Sequence, residues 1–493
     1  MTAAPQVTIV VVPRERFSNA KRSLSSIYEN TPFPFELIYV DAGTPSPVSH
    51  FLQREAEQKE FRLLSASSYL SPNQARNLGC RHVRTKYTVF LDNDALVAPG
   101  WLEALVRCAE ETGAWVVGPL CLIGEVERQT IHMAGGKIWI TEEHDGRFFY
   151  DDHYLFDVRL ADVQVPLRRQ QWDYVEFHCM LVRTEVFDRL GPLDEKLLSL
   201  YEHIDLCLGV RNAGGSVYLE PRAVMSYIPP PPCEWWDLSY FMLRWSEAWN
   251  LASVRHFCDK WALSGLGWIG EPTASGEETV LKFARGHRRR MTGLKAPTDR
   301  MEYRPDLPSE QAELMVAMFL SVDRESFHLM GTNGESVIQL ASALGPQAVL
   351  QQLPEILQEA EEKNWSLMIG PLTGNQPGNP ALVRLDQLDA EAVRKVMPYS
   401  FLTLETGPEH YQCWLAVDQA HWRSAATLRG WIREGASSGP GHLAGSKNVS
   451  WKSGANGNSP RVKLVDSVAG RLVTVHQLEN GNVLPYVGSG HMC

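Results

Sequence analysis

Residues 87–102 read YTVFLDNDALVAPGWL. The run Tyr87–Leu91 has no regular alternation of polar and apolar positions. It is predicted to be a strand buried on both faces, as in a parallel sheet. The strand stops at Asp92-Asn93-Asp94, and a helix is expected over Pro99–Glu111. Upstream the pattern repeats. Val7–Val12 is a continuous β-branched run, followed by a predicted helix over Asn19–Glu29. A strand over Phe35–Val40 ends at Asp41-Ala42-Gly43. Ser49–Lys59 is predicted helical, Phe61–Leu64 a strand and Pro72–Val83 a helix. Strands alternating with helices imply βαβ units and a mostly parallel sheet flanked by helices, an α/β fold. Ligands of such sheets bind beyond the carboxyl ends of the strands. Asp41 and Asp92–Asp94 are expected at those ends.

Further on, strands are expected at Trp115–Pro119, Trp172–Val182 and Ser216–Leu219, with an irregular aromatic stretch over Glu125–Tyr154. Leu198–Ala213 has helical spacing and stops at Gly214-Gly215, a C-cap signal. A proline run at Pro229–Pro232 ends the regular pattern. Trp235–Trp261 is predicted to be helical and to pack on the far side of this domain.

The chain has 493 residues, too many for one ordinary domain. Residues 1–261 are expected to form the first domain. Residues 262–308, with basic clusters at Arg285–Arg290 and Lys295–Arg304, are expected to be a linker. A separate mixed α+β domain is expected over 309–493. Its predicted helices are Ser309–Leu320, Val337–Leu344 and Ala348–Lys363. Its predicted strands are Ser366–Ile369, Ala381–Leu385, Phe401–Glu405 and Tyr411–Val417, and Gly435–Asn458 is expected to be a long loop.

The formal net charge of -11 excludes a global basic field for nucleic acid. The nine cysteines form no CxxC pair, which favours reduced thiols over a disulfide framework. No signal-peptide pattern and no transmembrane segment is read from the sequence. A cytoplasmic protein is expected, peripheral to a membrane at most through its partners.

Two carboxylates at a strand end, Asp92 and Asp94, can hold a hard divalent cation through oxygen. A nucleoside-diphosphate leaving group needs such a cation, because its charge grows as its bond breaks. Asp and Asn are also common turn formers, so the tripeptide acquires weight only from its company. Asp41 can accept hydrogen bonds from a base or ribose. Asn73, Arg76 and Asn77 share one helix face, and the guanidinium fork of Arg76 suits diphosphate oxygens. Glu202 and Asp205, spaced i,i+3, place a carboxylate that can deprotonate a hydroxyl, or else a first turn favoured by the helix dipole. His203 lies between them, as a metal or phosphate neighbour or a partly exposed side chain.

In this order, the strand Val7–Val12, YVDAG (39–43), NQARNLG (73–79), FLDNDALVAPGWL (90–102) and LYEHIDLCLGVRNAGG (200–215) resemble family 2 glycosyltransferases with the GT-A fold. The resemblance covers roughly residues 5–260. It implies a nucleotide-sugar donor, a nucleobase contact from Asp41, and ribose, diphosphate and metal contacts from Asp92, Asn93 and Asp94. It adds Asn73 and Arg76 to the donor site, Mn²⁺ or Mg²⁺ as cofactor, and an inverting displacement with a base at 202–205. The hydroxyl acceptor would be a polysaccharide, a lipid-linked glycan or a protein. Two positions depart from the pattern. The family often shows Glu-Asp at the base, and here Glu202 precedes His203, so Glu202 and Asp205 both stay open. Many members also carry a metal-binding His after the last strand, where AVMSYIPPPP (223–232) has Tyr227.

The second half is similar to the primase-like domain of some plasmid and phage replication proteins. The resemblance rests on Asp386 after an apolar strand, the Glu405-Thr406…Tyr411-Gln412…Trp414 stretch and the Ala444-Gly445-Ser446…Asn448 loop. The alternating second carboxylate of a polymerase centre is missing, so no polymerisation is expected. Lys447, Trp451, Lys452, Arg461, Lys463 and Arg471 suggest a local nucleic-acid or phosphate contact. A second reading therefore makes the chain a nucleotide- or nucleic-acid-binding protein with a degenerate first domain. A third makes it a nucleotidyl transferase. That chemistry would favour a Gly-rich phosphate loop after the first strand, where Pro13-Arg14-Glu15-Arg16 stands instead.

Overall fold

The computed structural model describes residues 5–143, 146–230, 233–267, 276–291, 307–372, 380–418, 436–437, 439–451, 459–481 and 483. These divide into two compact units: 1–233 with 249–284, and 234–248 with 285–493. In the first unit the chain runs β1 (Val7–Val12), α1 (Ala20–Asn30), β2 (Glu36–Ala42), α2 (Ser46–Lys59), β3 (Arg62–Ala66), α3 (Pro72–Cys80), β4 (Tyr87–Asp92), β5 (Ala95–Val97), α4 (Trp101–Thr112) and β6 (Val116–Ile123). There follow β7 (Thr130–Met133), β8 (Gly136–Glu143), β9 (Gly146–His153), β10 (Gln170–Trp172), β11 (Cys179–Arg183), α5 (Glu185–Leu190), α6 (Glu202–Asn212) and β12 (Val217–Tyr227).

The main sheet has the order β10-β12-β6-β11-β4-β1-β2-β3. The block β4-β1-β2-β3 is parallel throughout, with Val12 in register with Asp92. Strand β11 runs antiparallel between β4 and β6, and β12 runs parallel to β6. Every residue of β1 and β4 is buried, as their lack of polar–apolar alternation anticipated. Helix α3 begins with a capping box: Ser71 accepts from the Gln74 amide while the Gln74 side chain accepts from Ser71, and Pro72 opens the helix. Its Gly79 lies against β1, where an added Cβ would stand 2.3 Å from Val10 Cγ1. Gly79→Ala is therefore expected to cost about 1–3 kcal/mol through overpacking. Urea unfolding measures it as a lower midpoint at unchanged slope.

Two stretches differ from expectation. Glu125–Tyr154 contains β7 and the hairpin β8–β9, whose cross-strand aromatics Trp139 and Tyr150 stack. Trp172–Val182 is not one strand. It breaks into β10 and β11, because Asp173, Glu176 and His178 spend their polar groups on side-chain partners in between.

The chain continues with α7 (Leu238–Arg244), α8 (Glu247–Trp261), β13 (Gly265–Leu266) and α9 (Gly276–Arg290). Helix α7 is buried on all sides and packs on α10 of the second unit, not on the far side of the first domain. Helix α9 lies within the stretch expected to be a linker. Residues 295–304 of that stretch are outside the described residues.

The second unit adds α10 (Pro308–Ser321), β14 (Phe327–Thr332), β15 (Val337–Leu344), α11 (Pro346–Lys363), β16 (Ser366–Pro371), β17 (Ala381–Leu388), α12 (Ala390–Val396), β18 (Leu402–Gly407), β19 (His410–Val417), β20 (Ala436–Ser437), β21 (Gly441–His442) and β22 (Lys463–Ser467). It holds two antiparallel sheets, β15-β14-β16-β21 and β20-β17-β19-β18-β22. Val337–Leu344 is a strand, not the expected helix. It is a largely exposed edge whose apolar residues fit either period, and pairing with β14 decides between them.

Candidate active site

At the carboxyl ends of β1 and β4, buried charged groups meet. Asp92 closes β4 with no exposure, and Asn93 and Asp94 follow it, also buried. Asp92 Oδ1 accepts from Arg76 Nη2 at 3.3 Å, and Oδ2 lies 2.9 Å from His178 Nδ1 and 3.5 Å from Arg14 Nε. Burial opposes ionisation of Asp92. The His178 hydrogen bond and the charges of Arg14 and Arg76 outweigh it and hold the carboxyl below its ordinary range. Asp94 has the opposite environment. Burial, then the charges of Asp92 and Glu15, push it well above the usual carboxylate range. Both of its oxygens are buried without a hydrogen-bond partner.

Arg14 links the two ends of the motif set. Its Nη1 donates to Glu202 Oε1 at 2.9 Å, and its amide donates to Asn93 Oδ1 at 3.0 Å. Arg76 Nη1 lies 3.9 Å from the same Glu202 oxygen. Glu15 is buried and accepts from the Tyr227 hydroxyl. Arg14 and Glu15 are absent from the site read in the sequence, where Pro13-Arg14-Glu15-Arg16 counts only as the lack of a Gly-rich loop. The available signal was position: they follow the first buried strand at its carboxyl end.

Asp205 is engaged elsewhere. Its Oδ2 accepts from Lys260 Nζ at 2.8 Å and its Oδ1 from Trp261 Nε1 at 2.9 Å. The i,i+3 pair expected on one helix face is thus split between Arg14 and α8. Glu202 is the first residue of α6 and follows Tyr201, which has φ 65°. A left-handed aromatic residue is strained. It is held by stacking on Phe257, with centroids 4.8 Å apart. Asp205→Ala is expected to destabilise the fold by about 1–3 kcal/mol, by stranding the Trp261 indole and leaving Lys260 with Asp194 alone. Chemical unfolding followed by tryptophan fluorescence checks this.

The helix residues divide as well. Asn73 donates to the Asp194 carbonyl at 2.9 Å. Asn77 donates to the Leu193 carbonyl at 2.8 Å and to Glu195 Oε1 at 2.9 Å. Their amides tie α3 to the 193–195 segment. Arg76 is fully buried, 3.9 Å over the Phe177 ring, and braces Asp92. Asp41 is the penultimate residue of β2 and accepts from Ser49 Oγ at 2.6 Å. Gly43 beside it has φ +64°, and a Cβ there would meet the Tyr69 ring at 2.6 Å.

A histidine-rich cluster adjoins Asp92 through His178, whose ring stacks on Tyr227 with centroids 4.0 Å apart. Glu176 lies among His203, His153, His178 and His132. Burial works against its ionisation, and those four rings outweigh it, holding the carboxyl well below its ordinary value. Burial pushes His132 down to about 3 and also lowers His203, so both rings are neutral at pH 7. A cavity of about 840 Å³ opens elsewhere, against Glu36, Arg62 and Arg84 at the amino ends of β2 and β3. It is no donor-site candidate, because parallel sheets bind at the carboxyl ends.

In the second unit Asp386 is held by Arg384 Nε at 2.8 Å and by Gln412 Nε2 at 2.7 Å. Lys447 and Arg461 both pair with Glu361, at 2.9 and 2.8 Å, and Arg471 donates to the Met397 and Ser400 carbonyls. The cations expected to face a nucleic acid are thus largely spent within the unit. Lys452 lies outside the described residues. No described helix is long and apolar enough to cross a membrane.

Residues 8–190 match the family model "Glycosyl transferase family 2". Together with the sheet topology, this makes the first unit a family 2 glycosyltransferase domain with the GT-A fold. The chain is 26% identical over 221 residues to the uncharacterized protein y4gI of Sinorhizobium fredii, covering 43% of this chain and 23% of that one. It is 25% identical over 224 residues to the pre-mycofactocin glycosyltransferase of Mycobacterium tuberculosis, covering 45% and 42%. The chain thus spans less than half the length of these relatives. A solved structure of GalNAc-T7 with UDP, GalNAc and Mn²⁺ aligns at a TM-score of 0.37 and 15% identity, over 58% of this chain and 55% of that one.

Proposed function

We propose that the first unit transfers a sugar from a nucleoside-diphosphate sugar to an acceptor hydroxyl, with inversion, using Glu202 as general base. The observation that carries this reading is the split of the two late carboxylates. Glu202 joins Arg14, Arg76 and Asp92 at the carboxyl ends of the strands, while Asp205 is consumed by Lys260 and Trp261. Arg14 and Arg76 stand 2.9 and 3.9 Å from Glu202 Oε1 and hold that carboxyl in place. In the step itself the acceptor O–H proton passes to the Glu202 carboxylate. The acceptor oxygen attacks the anomeric carbon from the face opposite the donor, and the bond to the diphosphate oxygen breaks with its electron pair on the diphosphate.

Asp94 fits a hard cation, Mn²⁺ or Mg²⁺, because its two oxygens are buried without partners and Asp92 and Glu15 lie near. When bound, that cation would offset the charge growing on the leaving diphosphate. Asp92, ionised and held by three cations or donors, is better suited to positioning Arg14 and Arg76 than to ligating by itself. Asp41 and Asn93 remain the candidates for base and ribose contacts. The acceptor would be a hydroxyl on a polysaccharide, a lipid-linked glycan or a protein.

Calorimetric titration with UDP, GDP, CDP and dTDP, each with Mn²⁺, tests donor recognition. The expected result is one preferred diphosphate whose affinity falls at least about tenfold when chelator replaces metal. No binding of any of the four would count against the proposal.

A further inference from the structure

The histidine cluster beside Asp92 has no part in the transfer step above. His132 lies on β7, His153 ends β9, and Glu176 sits in the segment between β10 and β11. These elements are distant in sequence and converge on one point. One ligand atom from each of the three lies within 4.8 Å of those of the other two. His153 Nε2 is 3.4 Å and His203 Nε2 is 3.5 Å from the same Glu176 oxygen. His132 Nδ1 and His203 Nε2 are buried and make no hydrogen bond.

We propose that His132, His153 and Glu176 form a metal centre for a borderline divalent cation of the Zn²⁺ type, with water in the fourth position. The spacing fits. Zinc–nitrogen and zinc–oxygen bonds of about 2.0–2.1 Å in a tetrahedron place neighbouring donors about 3.4 Å apart. The donor set is imidazole-rich, which suits zinc, whereas the carboxylates of Asp94, Asp92 and Glu15 suit Mg²⁺ or Mn²⁺. The carboxylate of Glu176 cancels part of the cation's charge in a buried place. The centre would tie β7, β9 and the segment between β10 and β11 together. His178 is turned to Asp92 and stands beside the centre instead of in it. This inference does not rest on the transferase reading.

The full chain, stripped with chelator, is titrated with Co²⁺ and with Zn²⁺, and bound metal is counted by mass spectrometry. Co²⁺ is expected to bind stoichiometrically with the intense visible bands of a four-coordinate site, and Zn²⁺ to displace it. His153→Ala is the gentlest ligand deletion, because that side chain keeps 23% of its exposure. Loss of a direct ligand exceeds the 10–100-fold that orienting partners are worth, so this variant and Glu176→Gln should weaken Zn²⁺ by more than about 100-fold. Asp94→Asn should leave Zn²⁺ binding unchanged. The proposal is overturned if wild-type chain shows only the weak bands of octahedral Co²⁺. It is equally overturned if tight binding survives in His153→Ala and disappears in Asp94→Asn. The wild-type spectrum decides even where a variant fails to fold.

Discussion

Glu202→Gln should lower turnover by about 100- to 10,000-fold, the range for a positioned proton acceptor, with donor affinity unchanged. The amide keeps the shape of the carboxylate and an oxygen for Arg14 Nη1, now 2.9 Å away. It loses only the capacity to take a proton. The loss should therefore fall on kcat while KM for the nucleotide sugar stays constant, the pattern of an interaction made only in the transition state. Asp205→Asn tests the assignment from the other side. Its side chain answers to Lys260 and Trp261, so it should change stability more than kcat. If Asp205→Asn shows the large kcat effect and Glu202→Gln does not, the base has been misassigned.

Asp94→Asn should cut metal-dependent turnover roughly 1,000-fold, because a ligand to the cation is worth several kcal/mol in the transition state and each 1.4 kcal/mol is tenfold. Its effect on stability should have the opposite sign in metal-free protein. Burial and the charges of Asp92 and Glu15 raise the folded-state pKa of Asp94. The folded state then holds a proton that the unfolded state releases near pH 4. Stability falls as pH rises above that value and is unaffected below it. Asparagine carries no charge, so the metal-free variant should melt at or above the wild type at pH 7, and the difference should vanish by about pH 4. Adding Mn²⁺ should raise the wild-type melting temperature and leave the variant unmoved. Two melting curves at each pH check both signs. A variant that melts well below the wild type without metal would show that Asp94 is paired in the native state.

How legible the site was depended on how each residue sits in its pattern. Val7–Val12 and Tyr87–Asp92 could be read as buried strands because polar and apolar residues do not alternate along them, and their parallel pairing put Asp92 at a carboxyl end. The α3 start could be read from Ser71-Pro72 and Gln74, which cap it. Arg14 and Glu15 could not be, because a charged turn and a buried charged pair have the same letters. Only the partners, Glu202 at 188 positions away and Tyr227 at 212, tell them apart. Glu176 and His178 were hidden in a stretch read as one strand, although three polar residues between apolar neighbours gave a signal. The i,i+3 rule placed Glu202 and Asp205 together. The left-handed Tyr201 at the helix start and the packing of α8 separated them, and both are tertiary effects. In the second unit the period of Val337–Leu344 was ambiguous. Lys447 and Arg461 could not be told from free cations, because their shared partner Glu361, about a hundred positions from Arg461, is not visible in the sequence.

The most direct test of the transferase account is release of nucleoside diphosphate from a panel of nucleotide sugars, run on the wild-type chain with Mn²⁺ and with chelator. The account predicts metal-dependent release from one donor, lost in Asp94→Asn and strongly reduced in Glu202→Gln. Release that is equal with chelator, or equal in both variants, would contradict it.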